Sequence, residues 1–130
     1  MHKNTIIISS LKEIKHSLEL IAKRSQQINS ADDFLANEEG IEKLDSISMR
    51  LVAIGEAFKN IDKIDSELLE KYPLVPWKEI KGIRDVLSHH YFNIDAEIIF
   101  NICKEEISKL LEATNTILQD LTLQNQGKYH

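Results

Sequence analysis

The sequence predicts an all-α protein, an up-and-down bundle of roughly four to six helices. Three observations predict it. Apolar residues recur every three or four positions along several long stretches, the spacing that gathers them on one helix face. Helix breakers are scarce, with four Gly and two Pro in 130 residues, while Leu, Ile, Glu and Lys are abundant. That length suits a single hydrophobic core.

From Thr5 to Asn29 the apolar residues Ile7, Leu11, Ile14, Leu18 and Ile21 form one stripe of an amphipathic helix. The run Ile6-Ile7-Ile8 could pass for a strand in isolation, but its helical continuation outweighs that. Ser30 to Asp33 has capping-box character and opens a short helical turn through Leu35. Asn37 to Gly40 is expected to be a break. A second long helix runs from Ile41 to about Ile61, with Ile41, Leu44, Ile47, Leu51, Ile54 and Phe58 facing the core. Its small residues, Ala53 and Gly55, would let a neighbouring helix approach closely. Asp65 can cap a short helix through Tyr72, which the Pro73 region ends. Pro76 suits the first turn of the next helix, with Trp77, Ile80, Ile83 and Leu87 on its buried side. The Phe92–Asp95 stretch interrupts, and either of its polar residues can cap the next helix. The last helix is expected from about Ala96 to Leu123, with Ile98, Ile102, Ile107, Leu110, Leu111, Thr114, Ile117 and Leu121 inward. Residues 1–123 then form one helical domain, and 124–130 a polar, frayed C-terminal tail.

Composition narrows the function classes. A formal net charge of −5 argues against non-specific coating of nucleic acid, which depends on neutralising many phosphates. An enzyme meeting RNA at one small basic site remains compatible. The lone Cys103 can form no disulfide within the chain, which fits a reducing cytosol, and its apolar surroundings suggest a packed thiol. No apolar run approaches the ~20 residues that cross a bilayer. Met1 to Ser9 lack the features of a signal peptide. A cytoplasmic protein with no membrane association is the expectation.

One segment concentrates chemistry. Arg84-Asp85-Val86-Leu87-Ser88-His89-His90-Tyr91 reads R-x-x-x-x-H-x-Y near the end of a predicted helix. It joins an obligate cation, a titratable imidazole and a phenol. At ~100° per residue, Arg84, Ser88 and Tyr91 share a face, whereas His89 lies roughly 140° from Arg84. An unwound helix end would bring the two together, and so would a two-fold dimer that doubles every group near its axis. Paired His and Arg suit RNA cleavage by internal attack of the 2′-hydroxyl: imidazole moves protons near neutrality, and Arg84 would hold the phosphate in a bidentate grip. Asp85, Ser88 and His90 are possible helpers. Plainer readings stand beside these. Arg84 could be an ordinary ion-paired surface residue, His89 or His90 a helix-end residue favoured by the dipole, and Tyr91 a packing residue. Asp85 and His89, four apart, are too few ligands to argue for a metal, and no cofactor is implied.

The stretch resembles the HEPN superfamily, specifically the HepT-like toxins of prokaryotic toxin–antitoxin pairs, whose R-x-x-x-x-H-x-Y signature is matched by Arg84, His89 and Tyr91. The Gly55-Glu56-Ala57 helix, the connection from Tyr72 to Trp77, Ile80 to Arg84, Tyr91 to Asp95 and the closing helix are similar too. Asp85 departs from the pattern, where a small polar residue such as Asn is common. The resemblance implies a helical-bundle homodimer with the motif helices facing across a cleft. It also implies a metal-independent RNase with Arg84 and His89 as catalytic residues. A cognate MntA-like nucleotidyltransferase antitoxin would neutralise it by transferring AMP to Tyr91, which must then be accessible. The alternative is a non-catalytic module that binds nucleotide or a partner and works with a nucleotidyltransferase. The acidic overall charge and Asp85 favour that second reading.

Overall fold

The computed structural model describes residues 2–88 and 95–127. Every regular element among them is helical. The long helices are α1 (His2–Arg24), α3 (Glu38–Ile64) and α7 (Ile107–Gly127), and the short ones are α2 (Ala31–Leu35), α4 (Trp77–Lys81), α5 (Ile83–Ser88) and α6 (Ala96–Asn101). α1 packs between α3 and α7, α2 lies against α3 and α6, and α4 and α5 lie along α3. Among the described residues no helix is long and apolar enough to cross a membrane.

The predicted stripe of α1 is the centre of the core, with Ile7, Leu11, Ile14, Leu18 and Ile21 all buried. The helix stops at Arg24 rather than Asn29. Ser25 turns its hydroxyl back to the Ile21 carbonyl at 2.8 Å, and Ile28 closes a turn onto Ser25. Lys23 and Arg24 occupy the last turn, where positive charge suits the helix dipole. At α2, Ser30 takes the extended N-cap conformation, but its hydroxyl makes no capping bond. The Asp33 carboxylate instead accepts from the Asn29 amide at 2.8 Å. Phe34, fully buried, is what this short helix adds to the core.

The predicted break at Asn37–Gly40 is a helix start. The Asn37 side chain accepts the Gly40 amide at 2.8 Å, satisfying an otherwise orphaned donor, and Glu38 and Glu39 fill the first turn. Gly40 is needed for close approach: a Cβ there would lie 2.5 Å from the Asp33 carbonyl oxygen. Ile41 is 44% exposed, against expectation; it stands ~100° round from Gly40, at the edge of the buried face. Leu44, Ile47, Leu51, Ile54 and Phe58 are buried as predicted, and Ile61 extends the stripe. α3 ends where Asp65 leaves helical geometry (φ −143°, ψ 94°). As expected, Asp65 caps the next turn, accepting from the Glu67 amide at 3.2 Å. That element is a turn and a single 3-10 stretch, Leu69–Lys71, rather than an α-helix.

The Tyr72–Pro76 connection is fastened twice. The Tyr72 hydroxyl donates to Asp120 of α7 at 2.6 Å, and the Trp77 indole N–H donates to the Tyr72 carbonyl at 3.0 Å. Trp77 also tilts against Phe58, with ring centroids 4.9 Å apart. The single helix predicted after Pro76 is two, α4 and α5, because Gly82 (φ −90°, ψ 2°) breaks the regular spiral. Trp77, Ile80 and Ile83 face the core side as expected but stay half-buried; Leu87 is buried. Ile80 and Ile83 also wall a groove of about 1000 Å³, shared with Leu51 and Ile54 of α3 and Ile107 and Leu110 of α7.

Asp95 caps α6, accepting from the amides of Glu97 at 2.9 Å and Ile98 at 3.3 Å. Residues Ile102–Glu106 then form a π-helical stretch leading into α7. This corrects the predicted inward set, since Ile98 stays partly exposed and Ile99 is fully buried. A helix closed at i→i+5 advances by only about 82° per residue, which brings Ile99 and Ile107 within roughly 10° of one azimuth. Past the π stretch the register holds: Ile107, Leu110, Thr114, Ile117 and Leu121 are buried, while Ile102 and Leu111 are half-buried. The helix continues to Gly127 rather than ending at Leu123, so the first part of the predicted frayed tail is ordered helix.

Candidate active site

The site is built on the seam between α3 and α5. Gly55 makes the seam possible: a Cβ there would lie 2.7 Å from the Ile80 carbonyl oxygen and 3.0 Å from Ile83 Cγ2. The predicted role for a small residue therefore holds at Gly55. It fails at Ala53, which faces outward and is exposed. With α4 and α5 seated this closely, the next α3 residue, Glu56, comes beside the first turn of α5.

Arg84 stands on that turn with 63% of its side chain exposed. Its Nη1 lies 3.6 Å from Glu56 Oε1, and Lys59 Nζ approaches the same oxygen at 3.5 Å. These separations exceed hydrogen-bond length, so Glu56 holds two cations loosely. One turn along, Lys81 Nζ meets Asp62 Oδ2 at 2.8 Å in a hydrogen-bonded ion pair. The contrast matters chemically. Lys81 is committed to its carboxylate, whereas the largely exposed Arg84 guanidinium is held by no described residue within hydrogen-bond length, which leaves its donors to an incoming anion as far as the described residues go.

Asp85 and Val86 are exposed beside Arg84. Ser88 closes α5; its side chain, and the predicted site residues His89, His90 and Tyr91, lie outside the described residues. The expected convergence of Arg84 with His89 and the expected accessibility of Tyr91 lie outside them as well. Among the described residues, no three His, Cys, Asp or Glu side chains are grouped to hold a metal ion. Cys103 packs half-buried against the core, as expected of a structural thiol. Burial pushes its pKa up, only partly offset by a Ser25 hydrogen bond and the Lys104 charge.

Sequence reasoning does not single out Glu56 as a site residue. A signal for Glu56 is present, since it directly follows the helix-seating glycine and stands three residues from Lys59. Its partner across the seam depends on tertiary packing and is not readable from spacing.

The all-helical bundle, with Arg84 exposed on the short helix α5, is consistent with the HEPN class of domains. The family model described as "Ribonuclease HepT-like" matches residues 14–117, and the chain belongs to that family. It is 32% identical over 100 residues to a Thermococcus cleftensis protein named "Probable ribonuclease HepT", covering 77% of this chain and 84% of the relative. It is 33% identical over 120 residues to a Methanocaldococcus jannaschii protein named as a "gamma-glutamylcyclotransferase and putative RNase", covering 92% of this chain and 51% of that protein. A "putative RNase" of Caldanaerobacter subterraneus is 46% identical over 69 residues, 53% of this chain and 59% of the relative. The chain thus spans about half the length of several curated relatives it matches. No solved structure matches it significantly.

Proposed function

We propose that the chain is the toxin of a toxin–antitoxin pair, a metal-independent endoribonuclease that acts as a homodimer. The observation that carries this reading is family membership across residues 14–117, a span that includes the whole motif. The open guanidinium of Arg84 on the α3–α5 seam agrees with it. Arg84 clamps the scissile phosphate and stabilises the charge that builds in the transition state. His89 acts as general base toward the 2′-hydroxyl and, from the second protomer, as general acid toward the leaving 5′-oxygen. Each such transfer contributes roughly 10²–10⁴-fold. Asp85, Ser88 and His90 assist at most.

A nucleotidyltransferase antitoxin of the MntA type silences this chemistry by transferring AMP from ATP to the Tyr91 hydroxyl and releasing pyrophosphate. The new phosphodiester brings negative charge to within two residues of His89, where it repels RNA and competes for Arg84. The test is cleavage of tRNA and mRNA by unmodified protein in excess EDTA, with His89→Ala and Arg84→Ala alongside. Loss in both variants, with their folds intact, is the expected result. Undiminished cleavage by either variant overturns the assignment. No cleavage by wild type with Tyr91 shown to be unmodified leaves the binding-module reading, which the exposed Asp85 beside Arg84 favours.

A further inference from the structure

We infer that Glu56 is a positioning residue for Arg84: a carboxylate on α3 that aims the guanidinium across the seam and is displaced by the phosphate it helps to receive. The inference rests on the ribonuclease reading above and names a residue on which that site depends.

Three observations support it. Gly55 brings backbone against backbone, since its missing Cβ is all that separates α3 from the Ile80 carbonyl. The position of Glu56 relative to Arg84 is therefore set by the main chain rather than by side-chain chance. The contact is also of the right kind. At 3.6 Å between Arg84 Nη1 and Glu56 Oε1, beyond hydrogen-bond length, Glu56 restrains the guanidinium weakly enough for a phosphate to displace it in bidentate capture. The neighbouring pair shows the other extreme, with Lys81 bonded to Asp62 at 2.8 Å. Finally, Lys59 shares Glu56, so displacement by a phosphate leaves the carboxylate with a partner. Released by Arg84, Glu56 keeps a cation 3.5 Å away.

The consequence is a split between binding and turnover. Glu56 places negative charge beside the phosphate site, so it opposes ground-state binding. It also limits the wandering of a half-exposed arginine, so it favours the transition state, where orientation counts most.

The test compares wild type, Glu56→Gln, Arg84→Ala and the double variant, with Asp62→Asn as a control for simply removing an α3 carboxylate. Kinetics are read on cleavable RNA and affinity on 2′-O-methyl RNA, which lacks the attacking hydroxyl. We expect Glu56→Gln to lower kcat about 10-fold, less than the roughly 100-fold that a full 1 Å misplacement can cost, because Arg84 loses a restraint rather than its place. Its affinity for 2′-O-methyl RNA should rise about 2–3-fold at low salt and lose that gain at high salt. The gain should vanish in the Arg84→Ala background, and Asp62→Asn should leave kcat within about 2-fold. Unchanged kcat in Glu56→Gln overturns the inference. So does equal weakening of RNA binding with and without Arg84, the mark of a merely structural residue. If wild type cleaves no RNA, the ribonuclease reading fails by itself. An Arg84-dependent affinity change would then still support the Glu56–Arg84 coupling, and its absence would remove that too.

Discussion

Replacing Gly55 by Ala sets two effects of opposite sign against each other. In the middle of α3 the substitution should favour the helix by about 0.8–1 kcal/mol on propensity alone. The added Cβ, however, would sit 2.7 Å from the Ile80 carbonyl oxygen and 3.0 Å from Ile83 Cγ2. The methyl group of Ile83 can rotate away; the carbonyl belongs to the backbone of α4 and can move only if α4 and α5 move with it. Overpacking of this kind costs about 1–3 kcal/mol, so a net loss of up to about 2 kcal/mol is expected. For 130 residues, an unfolding entropy of about 2.1 cal/mol/K per residue converts this to a fall in Tm of up to about 7 °C. Activity should suffer more, because the outward shift carries Arg84 with it, and a displacement near 1 Å at a catalytic group can cost about 100-fold. Thermal unfolding by circular dichroism and the RNA cleavage assay measure the two arms. A Tm that rises in Gly55→Ala, with cleavage intact, would refute the claim that this glycine seats the motif helix.

Two further outcomes rest on the caps and ties of the bundle. Asn37→Ala removes the acceptor for the Gly40 amide and should cost about 1 kcal/mol, seen as a lower Tm that Asn37→Asp largely restores. Tyr72→Phe breaks the 2.6 Å bond to Asp120 and should cost about 1–2 kcal/mol in chemical denaturation at neutral pH. The pH dependence of that loss has a definite sign. Burial first, then the Asp120 hydrogen bond and charge, raise the Tyr72 pKa well above its ordinary value of 10.0. The stabilisation is therefore complete below pH 10 and lost as pH rises through the folded-state value. The gap between wild type and Tyr72→Phe should be constant from neutrality upward and shrink above pH 10; a gap that widens there would contradict the hydrogen bond.

The long helices are legible in the sequence because their apolar stripes are local facts, and α1 and α3 bury nearly the residues their periodicity names. The features that escape such a reading depend on neighbours. Gly40 reads as a breaker by propensity, yet it sits inside α3 because α2 passes too close for any side chain. Ile41 keeps the apolar period but lies just off the buried face. Periodicity favours Ile98 over Ile99 because a π-helical stretch has no periodic signature of its own. In the site, Arg84 stands out by residue type and spacing. Glu56 faces it only because the chain doubles back and lays α5 along α3.

The five residues of Ile102–Glu106 act on the last helix as a phase offset. Were that stretch to tighten to ordinary α geometry, everything before it would turn relative to α7 by about 90°, roughly one residue's worth of rotation. Ile99 would leave the core, and α6, which Asp95 begins, would present a different side to α2. Loss of a single residue from the stretch would cancel that rotation, so relatives one residue shorter here should have ordinary α geometry and still bury the counterpart of Ile99.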